Sequence, residues 1–379
     1  MILLEHGPDG APAVFDAPRE VVLARAPDEV APALARLDAA RAAGHWVAGW
    51  LAYEAGLAFE PRLAACLPAE LPGPMLAIGI FDAPAPAGPV LARAEAEADP
   101  VVFTDPVPAI ARADYDAAIA RALAYIAAGD CYQVNLTFPL DQRLVAGTAL
   151  GLYGALRRRG AVGHGALVDL GAGPVVISRS PELFFRVQDG QITARPMKGT
   201  APRDPDASRD AALAAALAAS DKDRAENLMI VDLLRNDIGR LCRVGTVRVP
   251  ALYAVERYAT VHQMTSTVTG RLAGDPGLAG LMAALFPCGS VTGAPKIRAM
   301  QIIAELEPRP RGVYCGAVGW MSPGGDADFS VAIRTMRLFP DGRIVTNVGG
   351  GVVADSTARG EWEEALWKAR FAKGRGNPG

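Results

Sequence analysis

Three carboxylates in the second half of the chain could hold a metal ion. Glu226 lies in the stretch Asp223–Asp232, and Glu361 and Glu364 stand three residues apart in the closing segment. Residues three apart on a helix project from one face, and oxygen ligands without a nearby histidine or cysteine suit a hard cation such as Mg²⁺. A solvated acidic helix face is the alternative that the spacing alone leaves open.

A lysine in a tight turn could act as a nucleophile. Lys198 lies within Pro196–Thr200, a Pro-Met-Lys-Gly-Thr segment directly after the β-like run Gln191–Arg195. A lysine amine becomes nucleophilic when burial or a neighbouring cation lowers its pKa, and a Mg²⁺ ion bound nearby would be such a cation. An exposed turn lysine without a chemical role is the alternative.

A glycine run and an arginine could bind an anion. The three glycines within Val348–Val352 let backbone amides approach an anion closely, because glycine has no side chain. Arg334 has apolar neighbours on a β-like stretch, where its planar guanidinium could hold a carboxylate. A strand bulge and a structural ion pair are the respective alternatives. His262 and Tyr314 also stand in apolar stretches, and either a core or a functional role is open for them.

Helices and strands of an α+β fold are expected to position these residues. The pattern predicts helices over 206–238 and Glu361–Ala372, and another that Thr292–Pro295 opens with proline in its first turn. β-like runs are predicted over 166–170, 174–178, 183–187, 313–321, 328–338 and 343–353. Because strands and helices alternate in blocks, the pattern favours an α+β fold over a doubly wound parallel sheet.

The chain changes texture between residues 82 and 113. Six prolines punctuate this segment, which predicts an extended connection or an edge strand and not a helix. We therefore expect an N-terminal subregion over residues 1–105 and a main body over residues 106–375.

Composition excludes several classes of protein. The 379 residues carry 38 basic and 41 acidic side chains, a net charge of −3, so we expect neither nucleic acid nor a membrane surface as a partner. No apolar run is long enough to cross a membrane, and the first residues lack the basic region of a secretory signal. Five scattered cysteines without a Cys-x-x-Cys pair favour a reducing compartment, so a cytoplasmic protein is expected.

Seven segments resemble the chorismate-utilising enzymes, a family that includes anthranilate synthase large subunits, aminodeoxychorismate synthase component I, isochorismate synthases and salicylate synthases. The segments are Gly129–Leu136, Ser180–Phe184, Arg195–Thr200, Asp223–Arg240, Gly289–Lys296, Tyr314–Gly319 and Gly349–Glu364. They follow the family order between residues 114 and 372. The resemblance implies the anthranilate synthase component I-like, chorismate-binding fold, an α+β architecture with a β-sandwich core surrounded by helices. In that fold the N-terminal subregion packs into the same body as the catalytic region.

The resemblance also implies roles for the residues at the matching positions. Glu226 and Glu364 match the Mg²⁺ ligands, with Glu361 in support, and the metal would hold the ring carboxylate of chorismate. Glu182 matches the general acid and Lys198 the nucleophile. The implied substrate-binding residues are Lys198, Gly199, Thr200, His262, Ser290, Tyr314, Arg334, Gly349, Gly350 and Gly351.

Two positions distinguish the branches of this family. Isochorismate and salicylate synthases carry a water-activating lysine where this sequence has Gln133, and glutamine cannot act as a base. Anthranilate synthases typically carry alanine at the position of Lys198, whereas aminodeoxychorismate synthases carry lysine. The resemblance therefore implies amination of chorismate to 4-amino-4-deoxychorismate for 4-aminobenzoate and folate synthesis. Anthranilate synthesis and an inactive chorismate-binding regulatory relative are the alternatives.

The implied reaction passes through a covalent adduct. Glu182 protonates the departing 4-hydroxyl while Lys198 attacks C2 of the ring, and ammonia then adds at C4 and expels the lysine. The chain shows no glutaminase-like cysteine elbow. The ammonia is therefore expected from a separate glutamine amidotransferase subunit.

Overall fold

The structure, a computed structural model, describes residues 1–258 and 261–374 of the chain. Within these ranges the helices are α1 (Pro27–Ala42), α2 (Gly88–Ala96), α3 (Arg112–Ala127), α4 (Ala149–Arg157), α5 (Ala207–Ala219), α6 (Asp221–Gly239), α7 (Gly277–Leu285), α8 (Lys296–Leu306) and α9 (Ala358–Lys368). Short 3₁₀ segments cover Tyr53–Phe59, Pro61–Cys66, Gly289–Val291 and Ala369–Ala372. No helix among the described residues is both long and apolar enough to cross a membrane.

The strands are β1 (Ile2–Leu4), β2 (Ala13–Phe15), β3 (Glu20–Ala24), β4 (Trp46–Leu51), β5 (Leu76–Phe81), β6 (Ala85–Pro86), β7 (Val102–Phe103), β8 (Val107–Pro108), β9 (Gln133–Ala146), β10 (His164–Val168), β11 (Val175–Ser180), β12 (Leu183–Gln188), β13 (Gln191–Ala194), β14 (Met197–Pro202), β15 (Arg248–Arg257), β16 (Val261–Arg271), β17 (Gly293–Ala294), β18 (Ala317–Met321), β19 (Ala327–Val331), β20 (Thr335–Leu338) and β21 (Arg343–Val352).

Two antiparallel sheets form the frame of the molecule. Sheet A has the strand order β17-β9-β21-β20-β11-β10-β1-β2-β6, and β7 and β8 also pair with β9. Sheet B has the order β14-β16-β13-β12-β19-β18-β4-β5-β3, and β15 also pairs with β16. The glycine run lies at the end of the long β9–β21 ladder, where Gly349 is opposite Thr137 and Gly351 is opposite Asn135.

The alternation of side chains along the strands explains why the two sheets stack. On β1, Ile2 and Leu4 belong to a core that also contains Trp50 and Trp320 of sheet B. Leu3, which points to the opposite face, belongs to a second core with residues of α2 and α4. Sheet A is therefore covered by sheet B on one face and by helices on the other. The predicted α+β fold with a β-sandwich core surrounded by helices is confirmed.

The first 105 residues contribute strands to both sheets. In sheet A, β1 pairs with β10, and in sheet B, β4 pairs with β18, with Leu51 opposite Ala317. This part of the chain therefore shares its sheets and its core with the rest of the molecule. Residue 375, at which the predicted main body ends, lies outside the described residues.

The prediction of an extended connection or edge strand over residues 82–113 holds for the short strands β6, β7 and β8. It is wrong for Gly88–Ala96, which form helix α2. Pro89 stands in the first turn of that helix, where its missing N–H needs no partner. The residues from Val90 to Ala96 contain no proline, so the helix continues through them. The spacing of the prolines, rather than their number, decides the local structure here.

The long helical stretch predicted over residues 206–238 is confirmed, but it is divided into two helices, α5 and α6. Ser220 separates α5 from α6 with a non-helical backbone, and its hydroxyl accepts a hydrogen bond from the Asp223 N–H. A serine in this role ends one helix and caps the next. Similarly, Pro295 is the N-cap of α8 and does not lie in its first turn, and Gly293 and Ala294 pair with β9.

Candidate active site

The glycine run of β21 lies between the elements that carry the predicted charged residues. Helix α9 packs on β21, and helix α6 packs on β14, the strand that contains Lys198. Glu361 and Glu364 are on α9 and Glu226 is on α6. The fold therefore brings four distant parts of the sequence to one place.

Gly351 marks the point where Lys198 and Gln133 approach each other. A Cβ atom at Gly351 would lie 2.8 Å from Nε2 of Gln133 and 3.2 Å from Nζ of Lys198. The two side chains therefore share one small space, which only a glycine at this position leaves open.

Gln133 is a candidate site residue that the sequence analysis used only to separate branches. Its side chain is fully buried, and neither Nε2 nor Oε1 has a hydrogen-bond partner within the described part of the chain. A buried amide without partners is costly. Its place beside Lys198 makes a bound ligand the natural partner. Its position at the start of a strand, in the segment Gly129–Leu136, is the signal that could have identified it.

Gly350 marks a second gap, between the carboxylates of α9. A Cβ atom at Gly350 would lie 2.9 Å from Oε2 of Glu361, 3.4 Å from Nζ of Lys368 and 3.7 Å from Oε1 of Glu364. The other oxygen of Glu361, Oε1, accepts a 2.6 Å hydrogen bond from the Ser356 hydroxyl. Ser356 thereby holds Glu361 with its second oxygen towards the glycine run.

Lys368 is a basic residue of this site that the sequence analysis did not single out. Its ammonium group donates a 3.0 Å hydrogen bond to the carbonyl of Gly349 and lies 2.7 Å from Oε1 of Glu364. The spacing of four residues between Glu364 and Lys368 on one helix is the sequence signal for this pair.

The three predicted metal ligands offer only carboxylate oxygens, which is the donor set that Mg²⁺ takes. Burial raises the pKa of Glu226 and of Glu361. Burial acts in the same direction on Glu364, but the charge and hydrogen bond of Lys368 hold its pKa below the usual value. A nearby cation would therefore favour the charged form of all three.

The arrangement of these carboxylates fits a Mg²⁺ ion that keeps other ligands. Among the described residues, no three or more His, Cys, Asp or Glu side chains are grouped closely enough to form a metal site by themselves. Mg²⁺ in enzymes is usually bound by one or two carboxylates, with water and an anionic substrate completing the octahedron. Glu361 and Glu364, facing the gap at Gly350, can supply that number.

Lys198 lies among charges of both signs. Its side chain is half-buried, and burial lowers the pKa of its ammonium group. The positive charge of Lys368 acts in the same direction, whereas the carboxylates of Glu226, Glu182 and Glu364 oppose it. The net effect is a lowered pKa, which increases the share of neutral, nucleophilic amine.

Glu182 is a buried carboxyl group suited to hold a proton. Burial raises its pKa, although a hydrogen bond from Ser290 and the charge of Lys198 act against the shift. The Ser290 hydroxyl donates to Oε1 of Glu182 at 2.6 Å from the 3₁₀ segment Gly289–Val291. A carboxyl group with a raised pKa can act as a general acid near neutral pH.

Arg334 stands where the chain crosses from one sheet to the other. The single strand predicted over residues 328–338 is wrong, because β19 belongs to sheet B and β20 to sheet A. Arg334 lies between them with a φ of 50°, a left-handed conformation that costs a non-glycine residue on the order of 1–3 kcal/mol and is typical of functional sites.

The guanidinium of Arg334 is available for an anion. Within residues 1–258 and 261–374 it forms no ion pair and no side-chain hydrogen bond, although the charge of Glu182 acts on it. Burial lowers its pKa. A half-buried arginine without a close partner fits a substrate carboxylate, which it can bind through two parallel hydrogen bonds.

Three predicted substrate-binding residues have other contacts in the structure. Thr200 is exposed, and its hydroxyl donates to Oε1 of Gln263 at 3.0 Å. Tyr314 is buried in the core, and the strand predicted from residue 313 begins only at Ala317. His262 is buried, with its Nε2 atom 2.8 Å from Oδ1 of Asp210.

Gly199 differs from these three residues, because it lies directly against the helix that carries Glu226. Its φ is +83°, and a Cβ atom there would lie 2.8 Å from Oδ1 of Asp223 on α6. A glycine therefore lets the turn after Lys198 pack closely on this helix.

Comparisons with known proteins show which proteins this chain resembles. A family model described as "chorismate binding enzyme" matches residues 88–374. Aminodeoxychorismate synthase component 1 of Klebsiella aerogenes is 40% identical over 343 residues, which cover 84% of this chain and 74% of that protein. Anthranilate synthase component 1 of Streptomyces coelicolor is 44% identical over 261 residues, which cover 69% of this chain and about half (51%) of that protein.

A solved structure shows the same fold. The crystal structure of anthranilate synthase component I from Streptococcus pneumoniae superimposes with a TM-score of 0.78 at 26% sequence identity. The superposition covers 94% of this chain and 91% of that one. The predicted anthranilate synthase component I-like fold is therefore confirmed over nearly the whole length of the chain.

Proposed function

The chain belongs to the chorismate-binding enzyme family, and we propose that within this family it is component I of an aminodeoxychorismate synthase. The observation that carries this proposal is the meeting of Lys198 and Gln133 at Gly351. An amine nucleophile and a neutral amide share the space beside the substrate-binding glycines. A lysine base that could activate water is absent from the position of Gln133.

The first half of the proposed reaction joins Lys198 to the ring. The neutral amine of Lys198 forms a bond to C2 of chorismate, both conjugated ring double bonds shift by one position towards C4, and the bond from C4 to its hydroxyl breaks. Glu182 gives its proton to the departing hydroxyl, which leaves as water, and the new Lys198 nitrogen loses a proton. The raised pKa of Glu182 and the lowered pKa of Lys198 support these roles.

The second half releases the product. Ammonia forms a bond to C4, both ring double bonds shift back, and the bond between C2 and Lys198 breaks. The amine of Lys198 is restored and the incoming nitrogen loses a proton, so that chorismate and ammonia give 4-amino-4-deoxychorismate and water. The side-chain oxygen Oε1 of Gln133 can accept a hydrogen bond from ammonia, because it has no partner among the described residues.

The charged groups around the ring position the substrate. Arg334 and Lys368 can each bind a carboxylate of chorismate. The ammonium of Lys368 lies at Gly350 in the glycine run, and the guanidinium of Arg334 is near enough to Glu182 to feel its charge. Glu361 and Glu364 would hold a Mg²⁺ ion, and Glu226 on α6 is the third predicted ligand. The ion would supply positive charge for the ring carboxylate.

In the proposed function, the chain acts with a glutamine amidotransferase partner. Relatives named aminodeoxychorismate synthase component 1 carry a component number, which supports a second subunit. We propose that the second subunit supplies the ammonia and that free ammonium replaces it poorly.

Anthranilate synthase component I is the second candidate. Its support is the relative from Streptomyces coelicolor, which bears that name and is 44% identical over 261 residues. The two candidates differ in whether pyruvate is eliminated from the ring. Lys198 favours amination without elimination, because a covalent adduct at C2 directs the ammonia to C4.

One assay separates these candidates. The chain is incubated with chorismate, MgCl₂ and ammonium, and the products are analysed with and without added aminodeoxychorismate lyase. Formation of 4-aminobenzoate only when lyase is present supports the proposal. Fluorescent anthranilate without lyase supports the second candidate, and no turnover of chorismate supports a chorismate-binding protein without activity.

A further inference from the structure

Arg311 and Glu307 form a buried ion pair beside strand β9. Their side chains are 1% and 5% exposed. Nε of Arg311 donates to Oε2 of Glu307 at 2.9 Å and Nη2 donates to Oε1 at 2.6 Å, so the planar guanidinium binds both carboxylate oxygens. The guanidinium carbon also lies 4.4 Å from the centre of the Tyr53 ring. These contacts together fix the orientation of the guanidinium.

The ion pair occupies a gap along one edge of β9. On the edge that faces away from β21, strands β17 and β8 each pair with a part of β9. Within the described residues no strand covers the part between them. There Nη2 of Arg311 donates to the Asn135 carbonyl at 2.6 Å, and the Thr137 N–H donates to Oε1 of Glu307 at 2.8 Å. Two side chains thus supply the hydrogen bonds that a neighbouring strand would supply.

The part of β9 held in this way is the part that pairs with the glycine run. In the β9–β21 ladder Asn135 lies opposite Gly351, and Thr137 lies opposite Gly349. Gln133 stands on the same strand, two residues before Asn135. The ion pair therefore holds the strand on which the glycine run and Gln133 depend for their positions.

The same guanidinium also holds the segment that carries Ser290. Nη1 of Arg311 donates at 2.9 Å to the carbonyl of Val291, which ends the 3₁₀ segment Gly289–Val291. The preceding residue, Ser290, donates to Oε1 of Glu182 at 2.6 Å. One buried side chain thus connects β9 with the segment whose serine hydroxyl binds the proposed general acid.

We propose that Arg311 and Glu307 are positioning residues of the active site, whose ion pair fixes β9 relative to the segment of Ser290. The pair acts through β9 and Ser290 and not through contact with the substrate. The inference rests on the proposed function, because it concerns the reaction in which Glu182 is the general acid. Neither residue of the pair belongs to the seven segments that resemble the family.

A double variant removes the pair without leaving one buried charge alone. Replacement of a buried ion pair by apolar residues of similar volume is often neutral for stability, whereas the loss of one partner is costly. The variant combines Arg311→Met with Glu307→Leu. We expect it to fold and to lose kcat by about tenfold or more, with a smaller change in KM, since a misplacement of ~1 Å can cost ~10²-fold in rate.

The pH profile of kcat separates a positioning role from a merely structural one. When the segment of Ser290 loses its hold, the hydrogen bond that stabilises the ionised form of Glu182 weakens. Glu182 then keeps its proton to higher pH, so we expect the alkaline limb of kcat in the double variant to shift upward. A lower stability alone does not move this limb. A reduced kcat with an unmoved alkaline limb overturns the proposed link to Ser290.

Hydrogen–deuterium exchange tests the hold on β9 without any substrate. In the wild type the Thr137 N–H is bonded to Glu307. The double variant removes this acceptor, so we expect the Thr137 amide to lose its protection against exchange. Exchange measured with residue resolution gives the result, and unchanged protection of Thr137 overturns the proposal.

Arg41→Met is the matched control, because Arg41 is also a buried arginine, with 4% of its side chain exposed. Its guanidinium binds the Ser322 carbonyl, Asp38 and Asp275, and none of these partners lies on an element that carries a candidate site residue. We expect this variant to keep the alkaline limb and the protection of Thr137. Equal effects of the control and the double variant overturn the proposal.

The outcomes separate this proposal from the proposed function. If the double variant does not fold, Arg311→Lys takes its place with the same expected losses, because a lysine keeps the charge but lacks the planar fork. Wild-type kcat in a folded variant overturns the positioning role. If the wild-type protein makes no 4-amino-4-deoxychorismate, the proposed function fails, whereas the exchange of Thr137 still decides whether the ion pair holds β9.

Discussion

The carboxyl oxygen Oε1 of Glu182 accepts a 2.6 Å hydrogen bond from the hydroxyl of Ser290, and both residues are buried. The bond favours the ionised carboxylate, whereas burial favours the neutral acid and has the larger effect. Ionisation of Glu182 therefore destabilises the folded protein.

We expect Glu182→Gln to stabilise the protein at alkaline pH while it abolishes turnover. The pKa of Glu182 is higher in the folded protein than in the unfolded chain. The contribution of Glu182 to the free energy of unfolding is therefore fully present below its pKa in the unfolded chain. It is lost as the pH rises through its pKa in the folded protein. Glutamine does not ionise. Melting temperatures measured at pH ~5 and pH ~8.5 should show a gain that appears only at the higher pH; an equal shift at both would contradict the assignment.

We expect Ser290→Ala to move the alkaline limb of the activity profile. Removal of the hydroxyl takes away a hydrogen bond that stabilises the ionised Glu182, so the pKa of Glu182 rises further. The general acid then keeps its proton to higher pH, and the alkaline limb of kcat shifts upward. Ser330→Ala, which removes a buried hydroxyl bonded to the Val318 carbonyl, is the control and should leave the limb in place.

We expect Lys198→Ala to lose the formation of 4-amino-4-deoxychorismate by at least ~10²-fold, since it removes the nucleophile. Lys198→Arg should be equally inactive, because arginine keeps the charge but stays protonated. Coupled formation of 4-aminobenzoate measures both, and intact-protein mass spectrometry during turnover detects an adduct in the wild type alone. Wild-type rates in either variant would refute the covalent role.

We expect two glycines of β21 to respond differently to alanine. At Gly351 the new Cβ meets the flexible ends of Gln133 and Lys198, so Gly351→Ala should fold with nearly unchanged stability and lose most activity. At Gly349 it would lie 2.1 Å from the Leu136 carbonyl oxygen on β9, so Gly349→Ala should lose ~2 kcal/mol or more of unfolding free energy. Urea denaturation and turnover measure both, and a reversed ranking would contradict the geometry.

We expect the carboxylates of α9 to control the Mg²⁺ requirement. Removal of metal with EDTA should abolish turnover, and MgCl₂ should restore it. Glu364→Gln should raise the Mg²⁺ concentration for half-maximal activity about tenfold or more, because one of two carboxylate ligands is lost. Glu363→Gln is the matched control, since its exposed carboxylate on the same helix pairs with Arg359; equal responses of the two variants would exclude the site.

The sequence predicts the candidate chemical groups better than it predicts the contacts between them. Lys198 and Glu182 stand in short segments that resemble the family, so their candidate roles could be predicted without knowledge of the fold. Lys368 and Gln133 are candidate site residues because of neighbours that only the folded chain brings close, such as the carbonyl of Gly349 and the side chain of Lys198. No periodicity predicts such pairs.

The errors in the predicted elements have a similar origin. The apolar residues around Arg334 predict one strand, but the chain leaves sheet B and enters sheet A there. The segment 206–238 has continuous helical composition, and only the cap at Ser220 divides it. A backbone crossing and a single hydrogen bond are tertiary and local details that an averaged pattern does not resolve.

The place of β4 in sheet B has a consequence for biosynthesis. This strand lies between β5 and β18, so one of its ladders is completed only when the chain around Ala317–Met321 has been made. When only the first half of the nascent chain has left the ribosome, β4 is therefore an apolar strand with one unpaired edge. We expect the nascent chain to need protection from chaperones until the late strands emerge, and its folding to be slow.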